Sequence, residues 1–340
     1  GTKSGLGTHQ PWNGQKHLST NRNIGFVSSH QSDCNGAAYA RSPANCGATR
    51  PFTSHSHRSL AATVQNEFPG LARCGLGSKD ANRVILADGA GGSQIHKNVV
   101  EAMVEQMTKG QANMGGNYDS SRHAHKTMIG MRAAMADFLK CRSDEIIFGA
   151  SMSALTYHVS RALHKSNFMQ PGDNIVLDPM SHGANVWTWT QLAKTCGCEI
   201  RWLKVGDGLV LNPQQDVLSK LIDEKTRVVA VGYASNGCGS VHDVKAICTA
   251  ARNLSKEKAI SYVDAVHFAP HGHIDVQDIS CDFLVCSPYK FFGPHSGILY
   301  GRKQVLQKLS PDRLDCQDDG LPRDENCNMS RWEVGTQNYE

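Results

Sequence analysis

Lys290 stands in the stretch CDFLVCSPYKFFGPHSGILYG (281–301), between an apolar run and a Gly-Pro turn, with Tyr289 on one side and Phe291 and Phe292 on the other. A lysine is ordinarily a solvated surface charge. Aromatic neighbours on both sides make that charge costly, and an amine so placed suits Schiff-base chemistry on a carbonyl. Three further polar groups close apolar runs that have no structural use for them: Asp264 ends AISYVD, Asn236 follows VVAVGYAS, and His182 follows NIVLDPM. A capping or turn residue is the plain alternative for each. Asp264, at the end of a buried run, needs a cation or an N–H partner. A fourth junction, FGASMSA (148–154), puts Ser151 and Ser153 where a helix begins. Unpaired backbone amides there bind anions whether or not the serines take part.

The apolar runs say what must hold these groups. The folded part is expected to begin near Glu67, with a strand over VILADGAG (Val84–Gly91) and helices over 95–109 and 121–139 around the loop QANMGGNYDS. Alternation follows. Strands at 145–149, 174–178, 199–203 and 227–234 each lead into a helix, at 151–164, 184–195, 213–222 and 241–253, and strands at 259–266, 282–287 and 297–301 complete the series. Strands separated by helices of this length imply an α/β fold, a mainly parallel sheet with helices on both faces. Ligands of such sheets bind beyond the carboxyl ends of the strands, where all four groups fall. A dinucleotide-binding fold shares the pattern but would need spaced glycines after a strand and a downstream acid, and no strand here is followed by them.

At 340 residues, 40% hydrophobic and 19% charged, the chain has the composition of a globular enzyme with one large domain and an appendage. No apolar run approaches membrane-spanning length, so no membrane span is expected. Residues 1–66 carry six of the 35 basic side chains and one of the 31 acidic ones, which leaves 29 against 30 for the rest. That balance gives no basic face for nucleic acid. The segment 1–66 is rich in Ser, Thr, Asn, Gly and His and lacks periodicity, so it is expected to be disordered. Its composition suits a transit segment, which would make this an intracellular protein of plastid or mitochondrion; a nonspecific tail is the other reading. The 12 cysteines show no Cys-x-x-Cys pair and read as reduced, mostly buried side chains. The pairs His123/His125 and His271/His273 lack Cys or acidic partners at ligand spacing, so no metal is expected.

An isolated lysine, a buried acid, a histidine ring and an anion-ready helix end meet the needs of one cofactor, pyridoxal 5′-phosphate: an amine for its aldehyde, an acid for its ring nitrogen, a flat ring to stack on it and a phosphate site. From about Phe68 to Glu340 the chain resembles the class V aminotransferase superfamily of pyridoxal-phosphate enzymes, and within it the cysteine desulfurase-like (NifS-like) group. The resemblance is carried by LADGAGG, FGASMSALT, SHGANVWTW, YASNGCGSV, VDAVHFAPHGHIDV, the stretch around Lys290 and RWEVGTQNYE, in that order. It implies the large domain of a fold-type I pyridoxal-phosphate transferase over 67–312, with 313–340 a connection toward a truncated or missing small domain. It also implies that Lys290 bonds to the cofactor and serves with His182 in catalysis, His182 by stacking on the ring. Asp264 would pair with the ring nitrogen, and His267 and Asn236 would bond near the ring oxygen. Ser151, Met152, Ser287 and Tyr289 would hold the phosphate, and Thr336, in the GTQN motif, would reach the phosphate of a second subunit in a homodimer.

Two departures bear on activity. Relatives that act on cysteine carry a His-Arg pair in the loop where Gly115 and Gly116 stand here. The family also continues past the GTQN motif into a domain supplying the substrate-carboxylate arginine and, in desulfurases, the sulfur-accepting cysteine; Cys238, beside Asn236, is expected to be a buried small side chain without a role. The resemblance implies a cofactor-dependent enzyme acting on an amino acid, with sulfur removal from L-cysteine to give alanine and a protein as sulfur acceptor. Transamination, epimerisation or β-lyase cleavage, or a noncatalytic cofactor-binding relative, are the alternatives.

Overall fold

The computed structural model describes residues 64–74, 85–312, 331–333 and 338. After a helical turn at 64–66 and a 3-10 helix (Pro69–Cys74) come two longer helices, α1 (Lys97–Lys109) and α2 (Asp119–Leu139). Then come β1 (Ile146–Gly149), α3 (Met152–Lys165), β2 (Asn174–Leu177), α4 (Ala184–Cys196), β3 (Glu199–Trp202) and α5 (Gln215–Leu218). The series ends with β4 (Thr226–Gly232), α6 (Val244–Leu254), β5 (Ile260–Asp264), α7 (Val276–Ile279), β6 (Phe283–Cys286), β7 (Gly297–Gly301) and α8 (Lys303–Lys308). The seven strands form one sheet in the order β1-β7-β6-β5-β4-β2-β3. Only β7 runs against the others, antiparallel to both β6 and β1. The expected mainly parallel sheet is therefore present.

Helices cover both faces because each central strand is apolar on both. In β4, Val229 and Val231 pack with α2 and α6, while Val228 and Ala230 pack with α3 and α4. Some of the helices that follow strands start at a side-chain cap. Ser151 Oγ accepts the Ala154 amide (3.1 Å) at α3, and Asp243 Oδ1 accepts the Ala246 amide (2.9 Å) at α6. These two caps begin α3 and α6 past the strands before them, and the carboxyl edge of the sheet is a row of strand ends and helix beginnings.

Several expectations change. Val84 lies outside the described residues, and 85–96 form no strand: the Gly91 amide bonds to both the carbonyl (3.1 Å) and Oδ1 (2.9 Å) of Asp88, a turn that ends extended pairing. An apolar run alone does not tell a strand from an irregular segment. The helix expected over 213–222 narrows to α5, with turns after it. Of the segment 1–66, residues 64–66 form a helical turn and the rest lies outside the described residues, as does most of 313–340. No helix among the described residues is long and apolar enough to cross a membrane.

A buried ion pair ties the RWE stretch near the end of the chain to the first strand. Arg132 on α2 donates to the Ile146 carbonyl (2.6 Å) and to Glu333 Oε1 (3.1 Å), Glu333 accepts the Phe148 amide as well, and both charged side chains are 5% exposed. Trp332, beside it, is fully buried among α3 and β6. Removing one partner strands the other charge in the interior. Glu333→Ala is expected to lower the unfolding free energy by about 3–5 kcal/mol, read from urea denaturation; a loss inside experimental error would show the pair to be dispensable.

Candidate active site

The carboxyl edge of the sheet holds a cavity of about 420 Å³, within the size range of small-molecule sites. Each side of it comes from a different strand end. From β5 comes Asp264, from the loops after β2 and β4 come His182 and Asn236, and from the turn after β6 come Ser287, Tyr289 and Lys290. The α3 start contributes Ser151, Met152 and Ser153. Nine of the ten expected site residues line this one cavity. The tenth, Thr336, lies outside the described residues.

Lys290 closes a single 3-10 turn, Pro288–Lys290, and is buried at 9% exposure. Its Nζ donates to the Ala90 carbonyl and lies 4.6 Å from the centre of the Tyr289 ring. The expected three-sided aromatic wall is only that one ring. Phe291 stacks on Phe138 at 5.3 Å, and Phe292, 49% exposed, meets Phe68 at 5.1 Å. Side chains in a tight turn fan outward, so consecutive aromatics cannot all face one amine.

The rest of the lysine's cover comes from the irregular segment ahead of α1. The Ser93 amide and hydroxyl both donate to the Tyr289 carbonyl (2.9 Å each), the Phe292 amide donates back to Ser93 Oγ (2.7 Å), and the His96 amide donates to the Phe292 carbonyl (3.1 Å). Gly92, at φ +145°, permits this approach: a Cβ there would stand 3.1 Å from the Tyr289 ring.

Electrostatics follow from burial. Burial pushes the Asp264 carboxyl up to about 6, with Asp178 adding to the rise and the Val266 amide (3.0 Å on Oδ1) and Lys290 opposing it. Burial, then the neighbouring His271 and Lys290, lowers the affinity of His267 for a proton, and its buried Nδ1 has no hydrogen-bond partner among the described residues. His182 accepts the Ala184 amide on Nδ1 (3.2 Å), which leaves Nε2 to carry the proton of the neutral ring.

Among cavity residues not singled out from the sequence, Ser181 and Gly232 close the gap between the β2 and β4 loops, and His295 stacks on Tyr289 at 4.5 Å and 12°. The aromatic residue inside GPHSG was a signal for His295. Ala90 lies within LADGAGG, but nothing in that motif pointed to its carbonyl as the partner of Lys290.

The donor set fits pyridoxal 5′-phosphate on this chain's own features. A buried amine, a buried acid with raised proton affinity and an unpartnered ring nitrogen face one space. The amides of Met152 and Ser153, at the first turn of α3, lack carbonyls one turn earlier. Gly297 lets that helix start pack directly on β7, since a Cβ there would fall 2.5 Å from the Ser151 carbonyl carbon.

The family model described as aminotransferase class-V matches residues 85–336. The chain belongs to this family. The relatives place it with the NifS-like pyridoxal-phosphate enzymes, and the seven-stranded sheet is the fold-type I large domain. A cysteine desulfurase of Pectobacterium carotovorum is 33% identical over 73% of this chain and 59% of its own length. The aminotransferase-like protein FGM3 of Gibberella zeae is 31% identical over the same shares. A solved cysteine desulfurase of Thermococcus onnurineus superposes with a TM-score of 0.70 at 29% identity, covering 82% of this chain and 67% of that one. The chain thus spans about three-fifths of the length of these curated relatives.

Cys238 departs from expectation. It is exposed, with Sγ 3.3 Å from Ser240 Oγ, and hydrogen bonds from Ser235 and Ser240 lower its thiol pKa. Burial pushes Cys248 and Cys286 up to about 12. The tight turn through Gly239, at φ +77°, turns the side chain outward.

Two outcomes are expected. Cys238 should be alkylated by iodoacetamide before any other described cysteine at neutral pH, read by peptide mass spectrometry; prior labelling of Cys248 would contradict this placement. The second concerns Asp264, whose folded pKa lies above the unfolded value of 3.8. Its contribution is therefore fully present below the unfolded value and is lost as the pH rises through about 6. In cofactor-free protein, denaturation from about pH 4 to about pH 7 should move wild type against Asp264→Asn by about 2 kcal/mol. A constant difference would remove the raised pKa.

Proposed function

We propose that the protein holds pyridoxal 5′-phosphate on Lys290 and acts on an amino acid, removing sulfur from L-cysteine to leave alanine. The observation that carries the reading is the meeting of the Lys290 amine, the Asp264 carboxyl and the first amides of α3 in one cavity. The likeness to cysteine desulfurases supports the choice of reaction.

Lys290 is the one amine lining the cavity among the described residues. Its Nζ would bond to the cofactor aldehyde and, once a substrate amine displaced it, would move a proton at the substrate α-carbon. Asp264 would face the ring nitrogen, where a cation pulls a carboxyl of raised pKa back to its charged form. His182 would cover the ring, and His267 Nδ1 and the Asn236 amide would meet its oxygen. Ser151, Met152, Ser287 and Tyr289 would hold the phosphate. Bound there, the cofactor supplies an electron sink for the charge that develops at the α-carbon. Neither a cysteine nor an arginine lines the cavity among the described residues. A second copy of the chain, reached through Thr336, and a protein that accepts sulfur are the partners this reading includes.

A second reading is transamination, epimerisation or β-lyase cleavage at the same site. Gly115 and Gly116 at the positions of the His-Arg pair, and the likeness to an aminotransferase-like protein, favour it.

Lys290→Ala should lose the visible absorbance of lysine-bound cofactor, and a purified variant that keeps it would overturn the assignment. Wild type given L-cysteine with excess dithiothreitol, which reduces the persulfide sulfur, should release alanine and sulfide in equal amounts. Pyruvate with sulfide would indicate the lyase instead, and a sulfur-bearing keto acid the aminotransferase.

A further inference from the structure

Asp178, where β2 ends, is 1% exposed, and among the described residues no lysine or arginine pairs with it. A buried carboxylate without a cation is costly and persists only where hydrogen bonds answer it. Here two backbone amides do. Oδ1 accepts the Met180 amide (2.7 Å), inside the loop that leads to His182, and Oδ2 accepts the Gly232 amide (3.0 Å), at the end of β4. Gly232 is in register with Asp264 on the next strand, so it separates the two buried acids of the site. It is also in contact range of the loop: a Cβ on Gly232 would lie 3.2 Å from both Asp178 Oδ2 and Ser181 Oγ. Ser181 in turn accepts the Asn185 side-chain amide (3.0 Å) on α4. The carboxylate thus ties the His182 loop to the strand beside Asp264.

We propose that Asp178 is a positioning residue of this site, holding the Met180–His182 loop against Gly232 and acting on the bound cofactor through the placement of the His182 ring. The inference rests on the reading of the cavity as a cofactor site. Only a carboxylate serves both amides from one short side chain. An asparagine of the same size offers one oxygen and sets an NH2 group against the remaining N–H. Burial raises the pKa of Asp178, with the two amide bonds and His242 opposing the rise, in keeping with a group retained for its acceptors.

A double-mutant cycle on cofactor affinity tests this. Wild type, Asp178→Asn, His182→Ala and the double variant are titrated with pyridoxal 5′-phosphate, and dissociation constants are read from absorbance. Asp178→Asn is expected to weaken binding by about tenfold or more. The double variant is expected to bind no worse than His182→Ala alone, because the loss passes through that ring. Additive losses, or no loss in Asp178→Asn, overturn the proposal, since a merely structural acid would lower affinity independently of His182. If Asp178→Asn does not fold, amide exchange in cofactor-free wild type decides. Protection of the Met180 amide equal to that within β4 supports the tie, and free exchange refutes it. Wild type that fails to bind the cofactor would overturn the reading of the cavity itself, whereas binding with additive losses overturns the role of Asp178 alone.

Discussion

Two carboxyl groups, Asp178 and Asp264, are buried at the carboxyl edge of one sheet, and neither has a lysine or arginine in ion-pair contact among the described residues. Burying such groups is unfavourable unless dipoles or a charge answer them. Backbone amides answer both oxygens of Asp178 and one oxygen of Asp264, the latter through Val266, and burial still raises the pKa of each. The remainder is left to Lys290 and to whatever enters the cavity. That imbalance requires a rigid frame, because a floor that could relax would admit water and neutralise it.

The frame is a sheet packed on both faces. Val229 and Val231 of β4 belong to one core and Val228 and Ala230 to the other, so the strand cannot slip without exposing both sets. β7, reversed against its neighbours, ends the parallel run and brings Gly297 against Ser151. Arg132 and Glu333 fasten the β1 edge from the far side of the chain. Across the top, Ser93 and Gly92 fold the segment before α1 onto Tyr289, and the Ala90 carbonyl reaches the Lys290 amine. The stiff strands carry the acids, while irregular segments carry the groups that cover them.

Much of this was legible in the sequence because strands and helices write their period locally. The apolar runs ended at Asp264 and just before Ser287, and the polar residue types that follow showed which ends carry chemistry. Where a local pattern was all there was, it misled. The run VILADGAG looked like a strand but has no ladder in the described residues, Cys238 looked like a core side chain but faces outward, and the aromatics around Lys290 looked like a wall although only Tyr289 faces the amine.

Residue type and spacing by themselves determined the α/β class, the strand ends that carry polar groups and the lysine at their centre. The tertiary structure alone decided which groups meet. Lys290 and the Ala90 carbonyl are 200 residues apart, Asp178 and the Gly232 amide 54, and Arg132 and Glu333 201. A period of two or 3.6 residues carries no information across such separations. Those contacts exist because the strand order β5-β4-β2 and the packing of both sheet faces bring distant loops to one edge, and burial there gives the carboxyl groups their altered proton affinity.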